Sequence, residues 1–401
     1  MTAQLLGALF ASAATFELRD ASTPGSFDVL IAGTLWFAHG APTTFRRHGQ
    51  TLSSADGTLA LFRERNSTGA DEYGRYARRA WEWDAGAFET AVRVYEAAGA
   101  IVFEQTFARG ADGAAIGDVD GLISTFPSFA APPSGETTRG YLSYQDIMVG
   151  ASYRLGVWNA DAGGVGSGIG GTGPVCVFTR DGAHTVLLSP SSAVMAASQT
   201  FGAVYSSAPS LSYGLMGNIS SVPRGFSMET MLVHSRRGIN AAFTAWGDLV
   251  LARSGKTRRG AWERDMTLRS LGYSTDNGAY YYYHTEPGRD YAWTIVAVAG
   301  YAKSQRIPYR YWLADSWWYY KGATGGVTNW TAMPEIFPHG FADLTARTGW
   351  GVMAHNRYWD AATPYAKSNG GAYDFLTDGK TGYALPTSGA FWDDLMRNAS
   401  R

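Results

Sequence analysis

The sequence predicts two domains in series. These are a large all-β sandwich over residues 1–255, and then part of a parallel (β/α)8 barrel of the TIM type over residues 266–401. In the first two thirds of the chain, short apolar runs are separated by turns rich in glycine and aspartate. After Met266, strand-like runs alternate with helix-like runs. Strands that follow one another build sandwiches, whereas strands that alternate with helices build parallel sheets.

The N-terminal two thirds show hairpin patterns. Glu89–Glu96 and Ala100–Phe107 are rich in strand-forming residues and are separated by three small residues. Similar short runs cover Asp28–Leu35, Val175–Thr179 and His184–Leu188. Asp-Gly pairs, which favour tight turns, are present at Asp56-Gly57, Asp112-Gly113 and Asp181-Gly182. These features predict a sandwich of about 240 residues.

The segment Ser254–Asp265 is basic and turn-rich, and we place the domain boundary there. Three strand–helix units follow it. The predicted strands are Leu268–Ser274, Tyr309–Asp315 and Val352–Asn356, and the predicted helices are Arg289–Ser304, Phe341–Thr348 and Ser388–Ala399. This alternation with long loops is typical of a parallel barrel, in which functional residues follow the carboxyl ends of the strands.

Composition excludes several classes of function. Lys and Arg total 33 against 34 Asp and Glu, without a dense basic run, so a nucleic-acid partner is not expected. The single Cys176 excludes an intrachain disulfide, and the seven histidines lack metal-binding spacing, so we expect no metal and no cofactor. Gly166, Gly168 and Gly171 fit a dinucleotide-binding pattern, but a strand-like run follows them, which indicates a surface loop.

The sequence also contains weak signals of location. No apolar run reaches the roughly 18 residues needed to span a membrane. Residues 5–14, LLGALFASAA, resemble the apolar part of a signal peptide but lack a preceding Lys or Arg, so a buried strand or helix is the alternative. Glycosylation sequons favour the secretory pathway, and they begin at Asn66, Asn218, Asn329 and Asn398.

The predicted strand ends carry the candidate site. An aromatic strand leads directly into Asp315, which is followed closely by Trp317 and Trp318. Sugar sites combine carboxylates with flat aromatic faces. The other two strands end at Asp276 and at the pair His355 and Arg357. We therefore predict that these six residues bind a carbohydrate.

Each candidate has a structural alternative. Asp315 fits a loop cap, Asp276-Asn277-Gly278 fits a plain turn, and His355 fits a structural histidine. Trp317 and Trp318 fit either a sugar platform or a plug between the domains. Residues that fit core packing or solvated loops as well as a site are Tyr280–Tyr283, Glu286, Lys321 and Asp360.

Three segments resemble the barrel motifs of a known superfamily. Leu271–Asp276, Tyr311–Trp318 and Phe337–Phe341 are similar to the first three motifs of the α-galactosidase and raffinose-synthase-like glycoside hydrolases, the melibiase-like group. The resemblance implies an N-terminal sandwich before a (β/α)8 barrel. It also implies that Asp276 and Asp315 bind substrate hydroxyls.

The sequence departs from that group in two ways. Ser316 replaces the second acid of an Asp-Asp pair and Trp317 replaces a glycine, which leaves the identity of the sugar open. A barrel needs about 250 residues, whereas about 135 follow Met266. We therefore expect the nucleophile and the acid/base of the group to lie beyond Arg401, and this chain alone to be inactive.

Three functions fit these observations. The first is a retaining glycosidase for α-linked sugars, of which this chain is a fragment. The second is a glycosyltransferring enzyme of the raffinose-synthase type, which shares the covalent chemistry but passes the sugar to another sugar. The third is a carbohydrate-binding protein without catalysis.

Overall fold

A computed structural model of the chain describes residues 15–145, 153–258, 260–276 and 279–399. The signal-like run at residues 5–14 and the Asn277-Gly278 pair lie outside the described residues. The chain divides into two compact units, Met1–Thr257 and Arg258–Arg401.

The N-terminal unit contains two large antiparallel sheets. The six-stranded sheet contains, in spatial order, β1 (Phe16–Asp20), β2 (Phe27–Ile31), β3 (Thr34–His39), β12 (Ser128–Ala130), β18 (Ser210–Leu215) and β17 (Ala197–Gly202). The nine-stranded sheet contains β14 (Tyr153–Val157), β13 (Arg139–Tyr144), β15 (Val175–Thr179), β16 (Thr185–Pro190), β20 (Phe226–Ser235), β9 (Ala100–Phe107), β8 (Phe88–Tyr95), β7 (Gly74–Trp83) and β6 (Leu61–Asp71). Two small sheets accompany them, β11 (Ser124–Thr125) with β4 (Thr44–Arg47) and β5 (Gln50–Ser53), and β10 (Ala111–Asp112) with β19 (Ser221–Val222).

The facing sides of the two large sheets form one hydrophobic core. Phe27 and Val29 alternate with Asp28 along β2, and the apolar side chains are buried in the core. The Phe27 ring stacks on Trp81 of the other sheet with centroids 5.8 Å apart, and on Phe103 at 6.1 Å. This packing of two antiparallel sheets is that of a sandwich.

The turns follow the local sequence signals closely. Gly57, Gly113 and Gly182, the second residues of the three Asp-Gly pairs, all have positive φ angles. The predicted single run Asp28–Leu35 is wrong, because Ala32 and Gly33 turn the chain with φ values of 51° and 76° and split it between β2 and β3. Two consecutive residues with positive φ form the preferred turn of a two-residue hairpin.

Helix α1 (Ile239–Arg253) corrects the prediction that residues 1–255 are all β. The helix packs on the outer face of the nine-stranded sheet. Its Ala245, Trp246 and Leu249 meet Met231 and Val233 of β20. Successive side chains of β20 point to opposite faces of the sheet, so Leu232 faces the sandwich core while Met231 and Val233 face the helix. A sheet with two apolar faces requires a cover on each side.

The C-terminal unit contains a parallel sheet in the order β21 (Leu271–Ser274), β22 (Tyr309–Ala314) and β25 (Gly351–Ala354). Its helices are α2 (Ala261–Arg264), α3 (Met266–Arg269), α4 (Tyr291–Ser304), α5 (Gly340–Thr348) and α6 (Gly389–Ala399). Helix α5 ends as predicted, at Gly349 in the left-handed conformation. Among the described residues the parallel sheet has three strands, so a closed eight-stranded barrel is not seen there.

The first predicted strand of this unit starts too early. Residues from Met266 to Arg269 are helical, because the Asp265 side chain caps that turn by accepting a hydrogen bond from the Thr267 N–H at 2.8 Å. The strand begins only at Leu271. The capping residue outweighs the apolar character of Leu268, which is exposed.

A second sheet in this unit was not predicted. It has five short strands in the order β23 (Tyr320–Lys321), β24 (Val327–Asn329), β26 (Trp359–Asp360), β28 (Tyr383–Pro386) and β27 (Phe375–Thr377). These strands are formed by the long loops that follow β22 and β25, and Val327 pairs with Trp359 to join the two loops. Asp360 is buried there and accepts hydrogen bonds from Thr324 and Ala362, so its role is structural.

Candidate functional site

The three parallel strands end at the same edge of the sheet and their last residues are tied together. The His355 N–H donates to the Ala314 carbonyl at 2.9 Å, which continues the ladder between β25 and β22. The Asp315 N–H donates to the Thr275 hydroxyl at 3.3 Å, which links β22 to β21. Parallel strands place their carboxyl ends together, and the three predicted positions are therefore neighbours.

Asp315 is half-buried, and one of its carboxylate oxygens accepts a hydrogen bond from the Ser316 N–H. This contact is the loop cap predicted as the structural alternative for Asp315. The other oxygen makes no hydrogen bond and no ion pair with a described residue. Asp276 is exposed, and its carboxylate likewise has no hydrogen-bonding or ion-pair partner among the described residues. Each acid therefore keeps acceptor capacity for a ligand.

His355 is held in a fixed orientation. Its Nδ1 lies 3.1 Å from the Tyr319 hydroxyl, and the two rings stack almost parallel with centroids 6.1 Å apart. Its backbone carbonyl accepts two indole N–H bonds, from Trp318 at 3.1 Å and from Trp330 at 2.8 Å. The imidazole therefore has a single defined position at the strand edge.

Charges around His355 set its protonation state. Burial lowers the pKa of His355, and the neighbouring cations Arg357 and Lys321 lower it further. The carboxylates of Asp315 and Asp276 act in the opposite direction and do not restore it. His355 is therefore neutral at pH 7, with one ring nitrogen able to donate and the other to accept.

Two cations flank this histidine. The Arg357 guanidinium lies over the Tyr358 ring, 4.8 Å from its centroid, and that ring packs against Tyr383 at 4.2 Å. The Lys321 ammonium lies 5.9 Å from the centre of the Tyr319 ring. Partial burial lowers the pKa of Lys321, and Arg357 adds to this while Asp315 opposes it. Both cations thus act on the same small region.

Trp317 and Trp318 are 6% and 3% exposed. Trp317 stacks on Phe337 with centroids 5.8 Å apart, and Trp318 packs edge to face on Trp330 at 5.2 Å. This burial favours packing over a sugar platform as their role. Glu286 accepts a hydrogen bond from the Tyr280 hydroxyl within its own loop, whereas Tyr282 and Tyr283 remain exposed.

Three contributors to the site were absent from the sequence-based set, namely Thr275, Tyr319 and Tyr358. Thr275 is fully buried and bridges two strand ends, and Tyr319 fixes His355. Tyr319 belongs to the aromatic run that follows Asp315, in which only Trp317 and Trp318 were predicted as site residues. The aromatic run was the available signal, but the sequence alone does not show which of its side chains contacts His355.

An apolar cavity of about 840 Å³ lies beside strand β25. Residues of α5 and α6 line it together with Trp318, and its polar lining residues include Thr345, Asp394 and Asn398. It is a separate space from the charged strand-end cluster.

Within the described ranges no group of three side chains is arranged to hold a metal ion, and no helix is long and apolar enough to cross a membrane.

Sequence comparisons returned no match, either to models of protein families or to curated proteins. Solved structures do match. An α-N-acetylgalactosaminidase from Bifidobacterium bifidum, solved with GalNAc, is 13% identical, with a TM-score of 0.56 over 97% of this chain and 67% of its own. An α-galactosidase from Lactobacillus brevis is 10% identical, with a TM-score of 0.51 over 96% of this chain and 56% of its own.

An α-galactosidase of glycoside hydrolase family 36 from Geobacillus stearothermophilus is 11% identical, with a TM-score of 0.52. That match covers 92% of this chain and 52% of the other. The present chain thus spans between about half and two thirds of the length of these proteins. The similarity shows a glycoside hydrolase-like fold.

Proposed function

We propose that this chain carries the sugar-binding part of a glycoside hydrolase that acts on α-linked sugars with retention of configuration. The observation that carries the proposal is the position of Asp315 and Asp276. They follow adjacent parallel strands, and both have free acceptor capacity next to a neutral histidine. Carboxylates placed in this way accept hydrogen bonds from sugar hydroxyls.

In this proposal Asp315 and Asp276 bind hydroxyls of the sugar ring whose bond is cleaved. Neutral His355 supplies one more donor or acceptor in a fixed direction, because Tyr319 holds its Nδ1 side. The retaining reaction needs a nucleophilic carboxylate and a carboxylic acid about 5 Å apart. The resemblance assigns both roles to later strands, and we assign neither to Asp276 or Asp315.

The test is sugar binding by the 401-residue chain, measured by calorimetry with methyl α-galactoside and methyl α-glucoside. We expect binding of at least one of them, and Asp315→Asn should weaken it by about tenfold or more because a charge-assisted hydrogen bond is lost. The matched control is Asp343→Asn, which removes an acid on the outer helix α5 that pairs with Arg347. Equal binding by the Asp315 variant would contradict the assignment.

Hydrolysis of 4-nitrophenyl α-glycosides by the same preparation separates binding from catalysis. We expect binding without turnover. Turnover by this chain that is kept in Asp343→Asn would instead show that the chain contains its own reacting carboxylates. Absence of both binding and turnover would contradict the proposed function.

A further inference from the structure

The two cations of the strand-end cluster, Arg357 and Lys321, have no hydrogen-bonding or ion-pair partner for their charged groups among the described residues. The Arg357 guanidinium makes no hydrogen bond and no ion pair with any described residue. The Lys321 ammonium likewise contacts only the face of Tyr319 among the described residues. Asp315 is close enough to influence Lys321 and His355, yet it pairs with neither cation. Arg357 is half-buried, so its charge is partly desolvated without an ionic partner among the described residues, whereas Lys321 is exposed.

The arginine is also oriented in advance. Its guanidinium lies over Tyr358. The Tyr358 ring is fixed by its hydroxyl, which donates to the Thr324 carbonyl at 2.9 Å, and by packing against Tyr383 with centroids 4.2 Å apart. Stacking of this kind leaves the N–H donors at the edge of the guanidinium free. Those donors match two oxygens of a planar or tetrahedral anion.

We infer that the ligand of this site is an α-linked sugar with an anionic substituent, a carboxylate or a sulfate, which binds Arg357 and Lys321 while its hydroxyls bind Asp315 and Asp276. The inference rests on the proposed function and names its substrate class. His355 is at the same strand edge, where Asp276, Asp315, Lys321 and Arg357 all act electrostatically on its ring.

The inference is tested with pairs of ligands that differ only at carbon 6. The probes are methyl α-galactoside with methyl α-galacturonide, methyl α-glucoside with methyl α-glucuronide, and galactose with galactose 6-sulfate. We expect the anionic member of at least one pair to bind about tenfold more tightly than the neutral member, and we expect this preference to decrease as salt is added. The galacturonide and sulfate arms distinguish the two kinds of anion.

Two variants locate the effect. Arg357→Gln should lower the ratio of anionic to neutral affinity toward one, and Lys321→Met should lower it in part. The matched control is Arg310→Gln, which removes the same charge from an exposed position near the start of β22 and should leave the ratio unchanged.

The outcomes separate the inference from the proposed function. If the neutral sugar binds as tightly as its anionic partner in every pair, the inference is overturned and the proposed function stands. If no member of any pair binds, both are overturned. If the preference persists in Arg357→Gln and Lys321→Met, the anion binds elsewhere and the assignment is wrong.

Discussion

The Tyr319 hydroxyl lies 3.1 Å from Nδ1 of His355, and the two rings are stacked at an angle of 7°. Tyr319 follows the second parallel strand and His355 follows the third, so this contact joins two loops that lie 36 residues apart in the chain. It gives the imidazole one orientation toward the two acids and the two cations.

We predict that removing a neighbouring cation and removing a neighbouring acid shift the pKa of His355 in opposite directions. Arg357→Gln removes a positive charge that disfavours the imidazolium, so the pKa of His355 should rise. Asp315→Asn removes a negative charge that favours the imidazolium, so the pKa should fall. The measurement is an NMR titration of the His355 ring. Shifts of the same sign in the two variants would contradict this arrangement of charges around His355.

We predict that acid destabilises the N-terminal unit because His234 is more easily protonated in the unfolded chain than in the folded chain. Burial, His184 and Arg236 lower the pKa of His234 to about 4 from an ordinary 6.5. As the pH falls from about 6.5 to about 4, the unfolded chain takes up a proton before the folded chain does, and stability is lost over that range. The loss is on the order of 1 kcal/mol after allowance for solvent screening.

The measurement for His234 is urea unfolding at about pH 7.5 and about pH 5. His234→Gln should reduce the difference in unfolding free energy between the two conditions. His48→Asn is the control, because His48 is exposed and has a positive φ angle that asparagine tolerates. If His234→Gln leaves the difference in unfolding free energy between the two pH values unchanged, another group causes the acid sensitivity.

Glu229 is predicted to be critical for attachment of helix α1. Its carboxylate, 9% exposed, pairs with Arg93 of the sheet and with Arg253 at the end of that helix. Glu229→Ala leaves two partly buried cations without this partner and should cost about 2–4 kcal/mol of unfolding free energy. Asp20→Ala breaks the pair with Arg79 at a site 64% exposed and should cost less than about 1 kcal/mol. Equal costs would contradict the assignment.

Trp318 is predicted to stabilise the C-terminal unit by packing. Trp318→Ala removes a buried indole and its hydrogen bond to the His355 carbonyl, and it should cost about 3–5 kcal/mol. Trp293→Ala changes a tryptophan that is 41% exposed and should cost much less. Thermal and urea unfolding measure both. A stable Trp318→Ala chain with weakened sugar binding would favour the platform instead.

Some features could be predicted because short stretches of sequence encode them. The hairpin of β8 and β9, the glycines of the Asp-Gly turns and the end of α5 at Gly349 all follow from neighbouring residues. The carboxyl ends of the parallel strands were predicted to within a few residues, which placed Asp315 and His355 near each other. Alternation of apolar residues along a strand is a local property, and it was sufficient for these assignments.

Other features depended on contacts between distant residues. Helix α1 was missed because its apolar residues match the outer face of a sheet that is assembled from the whole N-terminal unit. The five-stranded sheet was missed because its strands are very short and pair across two separate loops. Neither feature has a strong pattern of its own.

Local sequence thus established the strand-rich first part, the alternation that follows it and the acids at the strand ends. Tertiary structure decided which aromatic side chains are buried, since Trp317 and Trp318 differ from exposed tryptophans only in the neighbours that surround them. It also decided that Tyr319 fixes His355 and that Arg357 lies on Tyr358. The physical reason is that burial, orientation and pKa are determined by groups close in space, and in this fold those groups come from separate loops.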